Sequence, residues 1–126
     1  MARAISLLIT VKTLRENIAE LNSLIIQYRY EEALDKFYDE AIVTHENERQ
    51  PIVGLIAYKE MARKVFLDNV SNYSAAMTNQ IISGDIVVSE WHYKFDHKLW
   101  GKWDKIQVSV QRWKKGRIVH ERHHYE

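Results

Sequence analysis

Apolar residues recur every three or four positions through the first quarter of the chain. Leu14, Ile18 and Leu21 fall on one stripe of a helix, which predicts a core-facing helix over roughly residues 10–28. A second, shorter amphipathic stretch predicts a helix over residues 31–38. Its acidic residues, Glu31, Glu32 and Asp35, lie early in the helix, where the helix dipole favours negative charge. The chain therefore opens with two helices.

The hydrophobic period changes after residue 40. The segment AIVTHEN, residues 41–47, is short and rich in β-branched residues, which predicts a strand, and ERQP supplies the turn that ends it. Gly54 then opens a third helix, whose apolar positions run from Tyr58 to Phe66 at helical spacing. Residues 69–72, with two asparagines and a serine, end this pattern.

The second half of the chain alternates between apolar and polar positions and predicts four strands. They cover, in order, residues 73–82, 86–95, 105–113 and 117–124. Ser83-Gly84-Asp85 and Lys114-Lys115-Gly116 join two pairs of them as tight turns, and WGKW marks a longer hairpin. The order α-α-β-α-β-β-β-β places the helices early and an antiparallel sheet late, which is typical of an α+β domain.

Composition adds limits to this outline. A length of 126 residues fits one domain, residues 1–126, and 46% hydrophobic with 28% charged residues is typical of a globular protein. The chain has no cysteine, which excludes disulfides and thiol catalysis and fits a cytoplasmic protein. The apolar run ISLLITV, residues 5–11, is too short for a membrane-spanning helix or a signal-peptide core, so we expect no membrane partner.

The formal net charge of +1 favours neither nucleic acid nor an anionic membrane as a partner. Residues 97–124 nevertheless hold eight Lys and Arg against two Asp and Glu, interleaved with tryptophans. Such a pattern can bind nucleic acid, but we favour a solvated sheet edge whose lysines discourage strand pairing. On the last strand His120 and His124 face one way and His123 the other, and no metal-binding motif is present, so we expect no bound metal.

Four stretches occur in an order that is found in a known family. They are EEALDKFYDEAIVTHEN, the Gly54 that precedes the third helix, GDIVVSEWHYKF and VQRWKKGRIVHERHHYE. Together they resemble the SnoaL-like polyketide cyclase and ketosteroid isomerase branch of the nuclear transport factor two superfamily, over nearly the whole chain. This resemblance implies a cone, in which a strongly bent, mostly antiparallel sheet wraps about three N-terminal helices and leaves a cavity open at one end. Such cones often pair through their sheets.

The resemblance also implies positions for acid-base chemistry. His45 falls where isomerase-like members carry their general-base aspartate, although a one-residue gap would place Glu46 there instead. A histidine with an ordinary pKa near 6.5 can exchange a proton near neutrality. Alternation along the last strand puts Glu121 and His123 on one face, and the family alignment turns that face inward. We therefore expect the catalytic groups to be His45, Glu121 and His123.

Alternation on the last strand also assigns its remaining positions. Val119 and Tyr125 share the face of Glu121, while Ile118 and Arg122 lie on the other face. On the strand over residues 86–95, Trp91, Tyr93 and Phe95 form an aromatic row suited to a flat ligand, which core packing explains equally well.

Further pocket positions come from the same alignment. Ser109 falls where the isomerase has a protonated acid that donates to the oxyanion. Asn22 falls near its oxyanion tyrosine, with Tyr28 as a possible substitute. These residues do not reproduce the tyrosine and acid pair, so steroid isomerisation is not expected. The expected pocket-lining residues are Asn22, Tyr28, Tyr58, Trp91, Tyr93, Gln107, Ser109 and Gln111.

Two function hypotheses follow. The first is a pocket protein for a small, partly apolar substrate, acting as an isomerase, cyclase or hydratase by proton transfer without a cofactor. The second is a non-catalytic domain of the same fold that binds a ligand or another protein. The sequence leaves both open. If Val108 and Val110 face outward, they form an exposed apolar strip that points to a homodimer through the sheet.

Overall fold

A computed structural model describes residues 12–126 of the chain. The helices come before most of the strands of the sheet. The elements are α1 (Leu14–Ile26), α2 (Tyr30–Phe37), β1 (Tyr38–Glu46), β2 (Ile52–Val53), α3 (Leu55–Met61), β3 (Val70–Ser83), β4 (Ile86–His97), β5 (Gly101–Lys114) and β6 (Arg117–His124). A π-helical turn, Ala62–Phe66, and a 3₁₀ turn, Leu67–Asn69, extend α3. The predicted α+β class is confirmed, and the two-residue strand β2 is an addition to the predicted order. The apolar run at residues 5–11 and the first residues of the predicted first helix lie outside the described residues.

Helix α1 begins at a capping box. The Thr13 hydroxyl accepts a hydrogen bond from the Glu16 N–H, and the Glu16 carboxylate accepts one from the Thr13 N–H. The predicted stripe faces the core, with Ile18 and Leu21 among its buried residues. Within residues 12–126, no helix combines the length and the apolar character that crossing a membrane requires.

Six strands form one mixed sheet in the order β2-β1-β6-β5-β4-β3. Strands β1 and β6 run parallel, and every other neighbouring pair is antiparallel. The register shifts twice between β3 and β4, and such bulges bend and twist a strand. One face of the sheet joins the apolar faces of α1, α2 and α3 in the core. The predicted row on β4 is part of it, since Trp91, Tyr93 and Phe95 are all buried.

Two local predictions differ from the structure. His97 pairs with Gly101, so β4 and β5 are joined by residues 98–100 and the WGKW hairpin is shorter than predicted. Ile118, predicted to face away from Glu121, is 0% exposed. The reason is a register shift between β5 and β6, which makes Val119 an extra residue and returns Ile118 to the inner face.

Candidate functional site

A cavity of about 120 Å³ lies between the helical layer and the inner face of the sheet. Its walls come from α2, α3, the π-helical turn and strands β4, β5 and β6, together with the end of β1. The residues that line it are Tyr30, Glu46, Arg49, Tyr58, Met61, Ala62, Val65, Phe66, Tyr93, Phe95, Trp100, Trp103, Gln107, His123 and Tyr125. Aromatic and aliphatic side chains dominate, with a few convergent polar groups, as in most small-molecule sites.

A buried imidazole, backed by a buried carboxylate, lies at the polar end of this cavity. His123 Nε2 lies 2.8 Å from Glu121 Oε1, and the two residues are 4% and 1% exposed. They lie on the same face of β6 because residues two apart on a strand point the same way. His123 reaches the cavity, whereas Glu121 lies behind it and is not a lining residue.

Two further donors complete the surroundings of Glu121. The Tyr38 hydroxyl lies 2.6 Å from both carboxylate oxygens, and the Gln111 amide donates to Oε2 at 2.6 Å. The Trp113 indole N–H donates in turn to the Gln111 oxygen at 3.1 Å, which fixes the orientation of that amide. Because both carboxylate oxygens of Glu121 already accept hydrogen bonds from protein groups, Glu121 positions His123 and does not itself contact a ligand.

The pair is ionised. Burial opposes the charge of Glu121, but the charge of His123 and the hydrogen bonds from its three partners outweigh it, so the pKa of Glu121 falls below its ordinary value. Burial likewise opposes the charge of His123, and the Glu121 carboxylate outweighs it and raises the pKa of His123 to about 9. His123 is therefore an imidazolium at neutral pH.

Gln107 contacts the other nitrogen of this imidazolium. The side-chain nitrogen Nε2 of Gln107 lies 2.9 Å from His123 Nδ1. An imidazolium donates at both nitrogens, so the protonated ring pairs with the other orientation of this amide, in which the oxygen faces Nδ1. His123 is thus held from both sides, and it can donate from Nδ1 to a ligand that takes the place of the Gln107 amide.

A second carboxylate lies beside His123. Glu46, at the end of β1, is the direct register partner of His123 across the parallel β1 and β6 pair, and it lines the cavity. Burial, followed by the charge of Glu46 and a hydrogen bond with it, raises the pKa of Tyr125 to about 12. Arg49 lies at the exposed side of the same wall. Unlike Glu121, Glu46 can contact a ligand.

Tyr30 and Tyr58 face the same space from the helical side. Burial, reinforced by neighbouring groups, raises the pKa of each phenol well above its ordinary value. Both side chains therefore stay protonated across the physiological range and can donate hydrogen bonds to a ligand oxygen.

The structure brings some of the sequence-predicted site residues to this cavity. Tyr58, Tyr93, Gln107 and His123 line it. Glu121 and Gln111 lie directly behind His123, in the hydrogen-bonded network described above. Ser109 is buried on the same inner row of β5 but does not line the cavity, and the same holds for Trp91 on β4.

The remaining predicted residues lie elsewhere. His45 is on the outer face of β1, with its ring 5.0 Å from that of His120, because Ile42, Thr44 and Glu46 occupy the inner positions. Asn22 donates to the Gln80 side chain, between α1 and β3. The Tyr28 hydroxyl donates to the carbonyl oxygen of Leu67, which turns it away from the cavity.

Residues that the sequence reasoning did not assign to the site supply most of its outer wall. They are Tyr30, Arg49, Trp100, Trp103 and Tyr125. Tyr125 had a signal, since alternation placed it on the face of Glu121. Among residues 12–126, no group of three or more His, Asp or Glu side chains is arranged to hold a metal ion.

Comparison with known proteins agrees with this architecture. The sequence model of the SnoaL-like polyketide cyclase family matches residues 17–126. A crystal structure from Mesorhizobium loti, named for its likeness to SnoaL-like polyketide cyclases, superposes with a TM-score of 0.78 at 20% identity and covers 90% of this chain and 100% of its own. A nuclear transport factor two-like protein from Burkholderia thailandensis gives 0.74 at 18% identity, covering 92% of each chain.

A search of curated proteins found no match to this chain. At these identities the structural likeness establishes the fold, and the family match spans nearly the whole sequence. The chain belongs to the SnoaL-like polyketide cyclase family, with the cone fold of nuclear transport factor two-like proteins.

Proposed function

We propose that this protein, as a single domain over residues 1–126, catalyses proton transfer on a small carbonyl compound without a cofactor. The observation that carries the proposal is the placement of a His123 imidazolium beside the Glu46 carboxylate in an otherwise largely apolar cavity. A cationic donor beside a carboxyl group that can accept a proton is the arrangement that general acid-base catalysis requires.

The proposed step is enolisation. The Glu46 carboxylate removes a proton from the carbon next to the carbonyl. The electron pair of that C–H bond forms the C=C bond of the enolate, and the π pair of the carbonyl moves to its oxygen. This oxygen takes the place of the Gln107 amide at His123 Nδ1, which donates a hydrogen bond to it and stabilises the developing negative charge inside the cavity. Return of the proton from Glu46 to a different carbon of a conjugated enolate completes an isomerisation. Attack of the enolate carbon on a second carbonyl carbon, with transfer of the proton from Glu46 to the new alkoxide, completes a cyclisation.

Glu121 and the phenols support this step. Glu121 keeps His123 charged and oriented, since its carboxylate contacts Nε2 and is itself fixed by two donors. Tyr30 and Tyr58 remain protonated donors on the opposite wall. The aromatic and aliphatic walls lower the local dielectric, which strengthens electrostatic interactions in the cavity.

Exchange of the α-protons of cyclohexanone and acetophenone for deuterium, followed by NMR in D2O, tests the proposal. The wild-type protein is expected to exchange them faster than buffer alone, and His123→Gln and Glu46→Gln to reduce the catalysed rate by about 100-fold or more. His124→Gln is the matched control, because His124 is exposed on the outer face of the same strand. If both ketones bind and the wild-type protein exchanges neither, the non-catalytic alternative replaces the proposal.

We further propose that two copies pair through the outer face of the sheet. Ile81, Val88 and Val110 are register neighbours across β3, β4 and β5 on that face, and Ile106 lies further along β5. Ile81 and Ile106 are 67% and 48% exposed, so these four residues form an exposed apolar strip, and such surfaces commonly mark protein interfaces. Sedimentation velocity is expected to show a dimer that Val110→Lys converts to a monomer, and a monomeric wild type would contradict the pairing.

A further inference from the structure

The turn between β4 and β5 places an indole at the solvent-exposed edge of the cavity. Trp100 is the last residue of this turn and lines the cavity. Its ring lies flat on the His97 imidazole, with ring centroids 3.7 Å apart and planes inclined by 4°. Trp100 is 46% exposed, whereas His97 is buried. One face of the indole therefore covers the imidazole, and the rest of the indole borders solvent.

His97 also fastens the turn through hydrogen bonds. Its Nδ1 accepts from the N–H groups of Leu99 and Trp100, at 3.1 and 3.2 Å. Its Nε2 donates to the carbonyl oxygen of Val65 at 2.8 Å. Two N–H donors on one nitrogen and a carbonyl acceptor on the other are compatible with the Nε2-protonated tautomer. A single side chain thus connects the turn with the π-helical turn across the opening.

Further contacts fix both sides of the opening. The Lys98 N–H donates to the Asn69 carbonyl oxygen at 3.0 Å, and the Asn69 side chain donates to the carbonyl of Val65 at 3.3 Å. Trp103 stacks on Phe95 with an interplanar angle of 8° and lies 5.3 Å from the Trp100 ring. The indole of Trp100 therefore has a defined place, set by residues outside the acid-base pair.

The space left beneath the indole is small. A buried apolar cavity of roughly 150 Å³ accommodates one benzene molecule. At about 120 Å³, this cavity is of one-ring size. A second fused ring would have to extend through the opening, into the space that Trp100 occupies.

We infer that His97 is a specificity-determining residue, which holds Trp100 over the opening and thereby restricts the cavity to ligands of one ring. The inference rests on the proposed function only in taking this cavity as the ligand site. His97 acts through Trp100 and the turn, so it is a positioning residue. The ligand class that follows is a compound of one ring, which under the proposed function is a monocyclic carbonyl compound.

Binding of 4-fluorophenol and 6-fluoro-2-naphthol, measured by ¹⁹F NMR titration, tests the inference without requiring turnover. The wild-type protein is expected to bind the phenol at least tenfold more tightly than the naphthol. Trp100→Ala and His97→Leu are each expected to raise naphthol affinity at least tenfold while changing phenol affinity less than threefold. Leu99→Ala is the matched control, since Leu99 lies in the same turn, is 81% exposed and does not line the cavity.

A second substitution and a second readout separate positioning from general damage to the fold. His97→Asn keeps an oxygen that can accept from the turn but cannot stack with an indole as a ring does, so naphthol affinity should fall between wild type and His97→Leu. Amide hydrogen exchange at Leu99 and Trp100 should accelerate in His97→Leu. Equal binding of both probes by wild type, unchanged naphthol affinity in the Trp100 and His97 variants, or no binding of either probe would overturn the inference.

The deuterium-exchange assay and the ¹⁹F NMR titration test different claims, so one claim can be overturned while the other stands. Loss of ketone exchange with the size preference intact would overturn the proposed catalysis alone. Catalysed exchange without a size preference would overturn the role of His97 alone.

Discussion

Two histidines on β6 show how neighbours decide the charge of a side chain. His123, on the inner face, is 4% exposed and the Glu121 carboxylate raises its pKa to about 9. His120, on the outer face, has a pKa below its ordinary value, owing first to burial and then to the charges of His45 and Arg122. Burial alone lowers the pKa of both. The carboxylate in direct contact makes the difference, so the imidazole of His123 is favoured in its charged form and that of His120 in its neutral form.

The largest expected effect comes from removing that carboxylate. Glu121→Gln leaves His123 buried without its counter-charge, and breaking a buried ion pair by removing one partner typically costs about 3–5 kcal/mol. The free energy of unfolding at pH 7, measured with urea, should fall by that amount. Glu60→Gln on exposed α3 is the control and should stay within about 0.5 kcal/mol of wild type. A loss of less than about 1 kcal/mol for Glu121→Gln would show that the pair is not ionised.

The second effect is a dependence of stability on pH. The pKa of His123 is about 9 in the folded protein, above the ordinary value of 6.5 that holds when it is unfolded. The stability that its proton contributes is therefore fully present below about pH 6.5 and is lost as pH rises through 9. The loss is on the order of 3 kcal/mol.

Urea unfolding between pH 6 and pH 10 measures this loss. The free energy of unfolding of wild type should decline across that range. His123→Gln lacks the titrating group and should decline much less. If the free energy of unfolding declines equally with pH in both proteins, a group other than His123 causes the decline.

Alternation along the chain was enough to predict that Glu121 and His123 share a face of β6, and the family resemblance supplied which face is the inner one. Glu121 and His123 share a face because they lie two residues apart, and this holds whatever surrounds them. The bulge at Val119 could not be predicted, because nothing in the local sequence indicates that Trp113 pairs with Ile118 while Arg112 pairs with His120.

The sequence of β1 does not determine which of its two faces points toward the core. Ala41, Val43 and His45 occupy one row, and Ile42, Thr44 and Glu46 the other. Each row holds an aliphatic, a β-branched and a titratable residue, so the hydrophobic pattern favours neither. The choice is made by pairing with β6, where the register shifts between Tyr38 and Val43.

The residues at the opening of the cavity could not be predicted either, because tertiary contacts place them there. The tryptophans at positions 100 and 103 looked like part of a basic, aromatic surface. Their role follows from a turn of three residues and from the contact between His97 and Val65, which are 32 residues apart in the chain. Such contacts leave no periodic signal.

The smallest effect is expected at His45, and it sharpens the contrast between the two faces. His45→Gln should change cyclohexanone exchange less than twofold and the free energy of unfolding by about 0.5 kcal/mol or less, because the side chain lies on the outer face. After burial, the charge of His45 is the largest cause of the lowered pKa of His120, so an NMR titration should show that pKa returning toward its ordinary value. A tenfold loss of exchange with an unchanged His120 titration would instead place His45 in the cavity, and Glu46 would no longer be the base.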